Sequence, residues 1–316
     1  MRLAWVVGSG GLLGSALCRT LRLAGTTLFI PKERFCWASS TKLFPQITEA
    51  VQCFASEAES SDQWEVYWAA GTGTMSSQDE ALTTETQAIE CLLGRLKADS
   101  RLLAKPGAVA FASSAGALYA EAGNDIITEK TTPTPSTAYA REKLRQEGLI
   151  HSFQVETDNV TALVARFSTL YGVGQSSRKA QGLLSHIARS LIRRHPVQIY
   201  VPYDTIRDYI FADDAAIAMV KTLRLPHEPP HFLMKIIASE HPVTIAEIIS
   251  IFKRLERRAP LIVTSSSKLG CLYTRRIQFR SIIHPDSTVA KMPLLIGVAQ
   301  MMKVERAAFA RAHLNT

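Results

Sequence analysis

Apolar and polar positions alternate in blocks along this chain. Leu3-Ala4-Trp5-Val6-Val7 is a short, continuous apolar run, the pattern of a strand buried on both faces. Ala16-Leu17-Cys18-Arg19-Thr20-Leu21 follows with helical spacing. The pair of patterns then recurs. Strands are expected at Thr27 to Ile30, Trp64 to Gly71, Ala108 to Ala112, Val160 to Phe167, Val197 to Val201, Ile206 to Phe211 and Phe232 to Ala238. Phe35-Cys36-Trp37 reads as a further strand, reached without an intervening helix. Helices are expected at Thr41 to Ala58, Gln78 to Ala104, Tyr139 to about His151, Leu183 to His195 and Thr244 to Leu255. Another runs from Asp214 to Leu223, with Asp213 as its cap. The alternation predicts an α/β fold, a doubly wound parallel sheet with a small C-terminal α/β lobe.

Composition supports one sizeable core. The chain has 316 residues, 47% hydrophobic and 20% charged. No apolar run reaches the length of a membrane span, and the N-terminus reads as a first strand rather than a secretory leader. Five scattered cysteines without a Cys-x-x-Cys pair suit reduced thiols, so a cytoplasmic location is expected. The net charge of +8 carries no long basic run and no basic residues interleaved with aromatics. No nucleic acid and no membrane partner is expected; a phosphate-bearing small molecule fits the charge. Eight histidines are dispersed without ligand spacing, and no metal is expected.

The candidate chemistry lies at the carboxyl ends of the expected strands, where ligands of such sheets bind. After the first strand comes Gly8-Ser9-Gly10-Gly11-Leu12-Leu13-Gly14, a Gly-x-x-Gly-x-x-Gly turn that opens a helix. Gly8 suits the tight turn, Gly11 lets backbone approach a pyrophosphate, and Gly14 lets helix pack on strand. The pyrophosphate of NAD(P) then meets free N–H groups at the helix start. Lys32 and Arg34, after the second strand, suit a 2′-phosphate and lean the cofactor towards NADP, while Glu33 keeps NAD open. Ala69-Ala70-Gly71 offers small residues beside which a cofactor can lie. Tyr139 and Lys143 stand four residues apart on one helix face. An ammonium beside a phenol favours phenolate, so Lys143 is expected to lower the Tyr139 pKa towards neutrality and make an acid/base pair.

The ordered set resembles the extended short-chain dehydrogenase/reductases, especially their nucleotide-sugar epimerase, dehydratase and reductase branch. The matching residues are the glycine turn, Ala69-Ala70-Gly71, Ser113-Ser114 with Tyr119, Tyr139-x-x-x-Lys143, Arg166-Phe167-Ser168-Thr169 and Arg207-Asp208-Tyr209-Ile210-Phe211-x-Asp213-Asp214. The resemblance implies a NAD(P)-binding Rossmann domain over residues 1–170 and a substrate-binding lobe over 171–316. Strands and helices around 200–235 are expected to pack back on the first domain. It implies that Tyr139 is the acid/base and that Lys143 bonds the nicotinamide ribose. Ser114 stands in for a hydroxyl whose usual place falls on Ala115, with Ser113 as the other choice. Phe167 and Ser168 would lie against the nicotinamide. Thr169, Gln181, Leu183 and Arg207 would hold a nucleotide-sugar, Arg207 at its pyrophosphate. A homodimer through the 78–104 and 139–151 helices is implied as well.

The function so implied is NAD(P)-dependent oxidation or reduction at a sugar carbon, C4, by an epimerase or a 4-keto-reductase. The acid pair that a 4,6-dehydratase needs is lacking after Ser114. Two other readings stay open: a non-catalytic Rossmann protein that senses NADP, and a reductase of a non-nucleotide ketone.

Overall fold

A computed structural model describes residues 1–71, 73, 79–174, 182–225, 231–264, 276–283 and 291–314. The first half runs β1 (Arg2–Val7), α1 (Leu12–Leu23), β2 (Thr27–Phe29), α2 (Ser40–Ala58), β3 (Gln63–Trp68), α3 (Asp79–Ala98), α4 (Ser100–Leu103), β4 (Gly107–Ser114), α5 (Ala115–Leu118) and β5 (Ile126–Ile127). The second half runs α6 (Ala138–Val155), β6 (Val160–Phe167), β7 (Thr169–Tyr171), α7 (Leu183–Arg193), β8 (Val197–Ile199), β9 (Ile206–Phe211), α8 (Ala212–Leu223) and β10 (Phe232–Ile237). It ends with β11 (Pro242–Thr244), α9 (Ile245–Glu256), β12 (Ile262–Thr264), β13 (Gln278–Phe279) and α10 (Leu294–Leu314).

Six parallel strands form the central sheet in the order β10-β6-β4-β3-β1-β2. Side chains of β1 alternate between two cores, as the period of a strand requires. Leu3, Trp5 and Val7 join the core under α2, α3 and α6; Ala4 and Val6 join the one under α1 and α8. With helices on both faces the sheet has no wet side, which is why its strands read as unbroken apolar runs. A separate core gathers Tyr171 with residues of α7, β8, β9, α9 and α10, over the small β11-β9-β7 and β12-β8 sheets. Beyond residue 170 the chain nonetheless returns to the first body, because β10 pairs with β6 and α8 packs on α1.

Several expected elements differ. Phe35-Cys36-Trp37 forms no strand, and β2 is the sheet edge. The two rings turn inward instead: Phe35 meets Trp5 and Trp37 meets Trp68, edge to face at 6.2 and 6.1 Å. Gln46 of α2 pins the segment by accepting the Cys36 N–H at 2.8 Å. Aromatic burial takes these residues out of ladder pairing. Asp213 is not the cap of α8, which starts one residue before it with Phe211 at the N-cap and no side-chain cap. Asp213 sits in the first turn, where a carboxylate favours the helix dipole, and pairs with Arg19 of α1. The long 78–104 segment breaks at Asp99, whose carboxylate caps α4; Gln78 lies outside the described residues. Cys18, Cys36, Cys53 and Cys91 are free thiols. No helix among the described residues is long and apolar enough to cross a membrane.

Candidate active site

The turn after β1 is shaped by its glycines. Gly8 adopts φ +88°, in the left-handed region, and its carbonyl accepts the Gly11 N–H at 2.9 Å. A Cβ at Gly14 would stand 2.1 Å from the Gly8 oxygen, so α1 reaches β1 only because position 14 is bare. A Cβ at Gly8 would stand 2.6 Å from Ala70 backbone, so the end of β3 closes on the same turn. Ala69 extends that closure, its N–H bonding the Val7 carbonyl at 2.9 Å. The start of α1 has Gly11 at its N-cap, no capping side chain and no acidic residue in its first turn. Ser9, Leu12 and Leu13 line this backbone, and the free N–H end of a helix suits a phosphate anion. Gly14→Ala is expected to force the turn open and weaken dinucleotide binding at least about tenfold, as fluorescence titration of cofactor would read.

Tyr139 and Lys143 stand on α6, whose start is fixed by Thr137 accepting the Ala140 N–H at 3.1 Å. From there Lys143, Gln146, Glu147, Ile150 and Phe153 turn inward. Lys143 is buried, its Nζ 5.8 Å from the Tyr139 ring centroid and 5.0 Å from that of Phe111. Its ammonium donates to Glu85 Oε1 of α3 at 2.9 Å and to Gln146 Oε1 at 3.0 Å. Burial alone would pull Lys143 down, but Glu85 first and Tyr139 next hold it above the ordinary lysine range. The expected lowering of Tyr139 is not found. Burial pushes its phenol up, and Glu85 adds to this; Lys143 and a hydrogen bond with Ser114 offset it only in part. Burial outweighs the lysine charge that was to favour phenolate, and a carboxylate answers part of that charge.

Ser114 ends β4, its Oγ accepts the Ala117 N–H at 3.3 Å, and its hydroxyl is among the groups that lower the Tyr139 phenol. Ser113 faces elsewhere, donating to Glu147 Oε1 at 2.6 Å, and Ala115 is fully buried. Glu147 also receives Arg166 of β6, Nε to Oε1 at 2.9 Å and Nη2 to Oε2 at 2.6 Å, while Arg166 Nη1 bonds the Tyr119 hydroxyl. This buried cluster clamps α6 to the sheet behind the dyad.

Phe167 ends β6 and lies beside Ser114 in register. Ser168 is buried, and its hydroxyl has no hydrogen-bond partner among the described residues. An orphaned donor at the carboxyl end of a central strand fits a bound dinucleotide. Thr169 opens β7 and pairs with Tyr209 of β9. Arg207 lies two residues before Tyr209, half-buried, with Nη1 on the Ile206 carbonyl at 2.7 Å. Leu183 opens α7, half-buried; Gln181 lies outside the described residues. Gly71 follows β3 with φ +155°. Lys32 and Arg34 lie on the loop after β2, where Lys32, Phe29, Phe35 and Gln46 border an open pocket.

Sequence reasoning did not single out Glu85. Its signal was a charged residue three after Leu82 and four before Ile89, on an otherwise apolar stripe. No group of three or more His, Cys, Asp or Glu side chains suited to a metal occurs among the described residues.

The model of the NAD dependent epimerase/dehydratase family matches residues 4–234. The chain belongs to this family. A dTDP-L-rhamnose 4-epimerase from Burkholderia thailandensis is 28% identical over 96 residues, 30% of this chain and 26% of that protein, so the match spans about a quarter of the relative. Among solved structures, the UDP-glucose 4-epimerase of Thermus thermophilus in complex with NAD superposes with a TM-score of 0.80 at 18% identity, over 98% of this chain and 100% of that one. MoeE5 in complex with UDP-glucose and NAD gives 0.78 at 19% identity, with the same coverage. RMD from Pseudomonas aeruginosa complexed with NADPH gives 0.75 at 19%, again over 98% and 100%. At these identities the likeness is one of fold: a doubly wound sheet of the extended short-chain dehydrogenase/reductase type.

Proposed function

We propose that this chain carries out NAD(P)-dependent redox chemistry at C4 of a nucleotide-sugar. The observation that carries the reading is the convergence of Ser114 from β4 with Tyr139 and Lys143 from α6. The bound nicotinamide supplies or accepts the hydride. Tyr139 moves the proton on the sugar oxygen, and Ser114 hydrogen-bonds the same oxygen. Lys143 holds a positive charge beside the phenol and reaches the nicotinamide ribose. Backbone from Gly8 to Gly14, with Ser9, Leu12 and Leu13, holds the pyrophosphate. Ala69, Ala70 and Gly71 leave room beside it, and Phe167 and Ser168 meet the nicotinamide end. Lys32 and Arg34 take a 2′-phosphate, so NADP is the proposed cofactor. Thr169, Gln181, Leu183 and Arg207 hold the nucleotide-sugar, in a lobe that runs from residue 171 to 316. A homodimer through α3 and α6, which pack side by side, belongs to the same proposal.

Two directions of use have support. The relative named a 4-epimerase favours an epimerase. The phenol held protonated favours a reductase, which needs an acid at the carbonyl oxygen. A panel of nucleotide-sugars and their 4-keto forms, with each cofactor in each redox state, decides between them. Stoichiometric NADPH consumption marks a reductase; interconversion of C4 epimers without net consumption marks an epimerase. No turnover and no binding of any nucleotide-sugar would overturn the proposal. A Kd for NADP no lower than for NAD would overturn the cofactor preference.

A further inference from the structure

The proposed chemistry leaves one buried charge beside the dyad without a task. Glu85 is 5% exposed, and its ion pair with Lys143 is closed to water on both sides. A carboxylate this deep persists only with a partner. The backbone makes room for it, since a Cβ at Gly71 would stand 2.7 Å from Glu85 Oε1.

An ammonium has three N–H groups. Glu85 takes one and Gln146 takes a second. Gln146 is itself held, its Nε2 donating to Thr86 Oγ1 at 2.9 Å, and Thr86 is bonded to Glu142 at 2.6 Å. Two donors of Lys143 are therefore fixed by α3 and α6, which leaves a third for the phenol or a ligand. Among the described residues, the other charges beside them on α6 are already matched. Glu147 on α6 is tied to Arg166 of β6, and Glu142 points its carboxylate at Thr86. From β4 come the Ser114 hydroxyl and the Phe111 ring, neither of them charged.

We infer that Glu85 is a positioning residue of the acid/base pair: it anchors the Lys143 ammonium and sets a negative charge beside Tyr139 that favours the protonated phenol. The inference rests on the reading of Tyr139 as the acid/base. Glu85 keeps the phenol in its protonated form, the one that can give a proton to a carbonyl oxygen, up to higher pH, at some cost in acid strength. In that direction the phenolic O–H bond breaks as the proton passes to the oxygen, and the carbonyl carbon gains the hydride of a reduced nicotinamide dinucleotide. The phenolate then takes a proton back from solvent. Burial raises the Tyr139 phenol most, Lys143 lowers it, and Glu85 comes next in raising it.

The test is the ionisation of Tyr139, read as tyrosinate absorbance against pH. The Tyr139→Phe trace is subtracted from wild type, and the double-variant trace from Glu85→Gln, which keeps the shape and removes the charge. Tyr139 is expected to ionise at lower pH in Glu85→Gln. The alkaline fall of the reductive kcat is expected to move the same way, with KM for the nucleotide-sugar unchanged. Superimposable titrations of Tyr139 in a folded Glu85→Gln protein would overturn the inference. Glu85→Asp keeps the charge and is expected to titrate like wild type; a shift there as large as in Glu85→Gln would overturn it too. The absorbance titration needs no substrate, so it stands or falls apart from the nucleotide-sugar reading.

Discussion

Tyr139→Phe is expected to lower kcat by roughly 10²- to 10⁴-fold, the usual loss when a positioned acid/base is removed. The change deletes one hydroxyl and keeps the ring, which packs beside Gly73 and lies in reach of Lys143. Cofactor affinity and thermal melting should therefore stay near wild type, so the loss falls on the chemical step rather than on binding. Ser114 cannot take over, because its hydroxyl is far too weak an acid or base without a partner. The pH dependence has a definite sign. Burial and Glu85 raise the phenol, so the protonated form persists through neutral pH and is lost only as pH rises through that raised value. Reductive turnover is expected to hold across the neutral range and fall on the alkaline side; the reverse, oxidative direction is expected to rise there. Steady-state rates for wild type and variant against pH check both points, and undiminished turnover by Tyr139→Phe would sink the mechanism.

Glu147→Ala is expected to cost stability rather than chemistry alone. Glu147 accepts two guanidinium nitrogens of Arg166 and the Ser113 hydroxyl, all buried. Removing it leaves Arg166, 3% exposed, as an uncompensated charge. Breaking such a pair costs about 3–5 kcal/mol, which corresponds to a fall in Tm on the order of 10 °C for a chain of this size. Activity should fall with it, since Glu147 lies one helical turn after Lys143 on α6 and the cluster sets that helix on the sheet. A melting curve decides the matter: a Tm within about 2 °C of wild type would mean that the clamp contributes little.

Much of this architecture was legible because it is local chemistry. Val160–Phe167 and Ile206–Phe211 are strands with the bounds their apolar runs suggest. Gly8 and Gly14 sit where only a bare backbone fits, so their spacing carried the turn. What was not legible depended on partners distant in sequence. Phe35 and Trp37 have the composition of a strand, but Trp5 and Trp68 offered their rings a better place. Asp213 reads as a cap until Arg19 is found across from it. That the Ser113 hydroxyl is taken up by Glu147, 34 residues further on, could not be read from the Ser113-Ser114 pair itself. The upward shift of Tyr139 turned first on its burial in the folded chain; Lys143 lowers it, and Glu85, 58 residues before Lys143, raises it further. An i, i+4 spacing reports which two side chains share a face, but not what third charge the fold sets beside them.

The proposal that carbon is oxidised or reduced by hydride, whether in an epimerase or a reductase, has one direct test. Turnover of the accepted nucleotide-sugar is run in deuterated water, and the product is examined by NMR at the reacting carbon. Hydrogen delivered there as hydride leaves the carbon with protium, while the proton handled by Tyr139 ends on oxygen and exchanges. The expected product therefore carries no solvent deuterium at that carbon. Deuterium incorporated there would mean deprotonation and reprotonation at carbon, and would contradict the assignment.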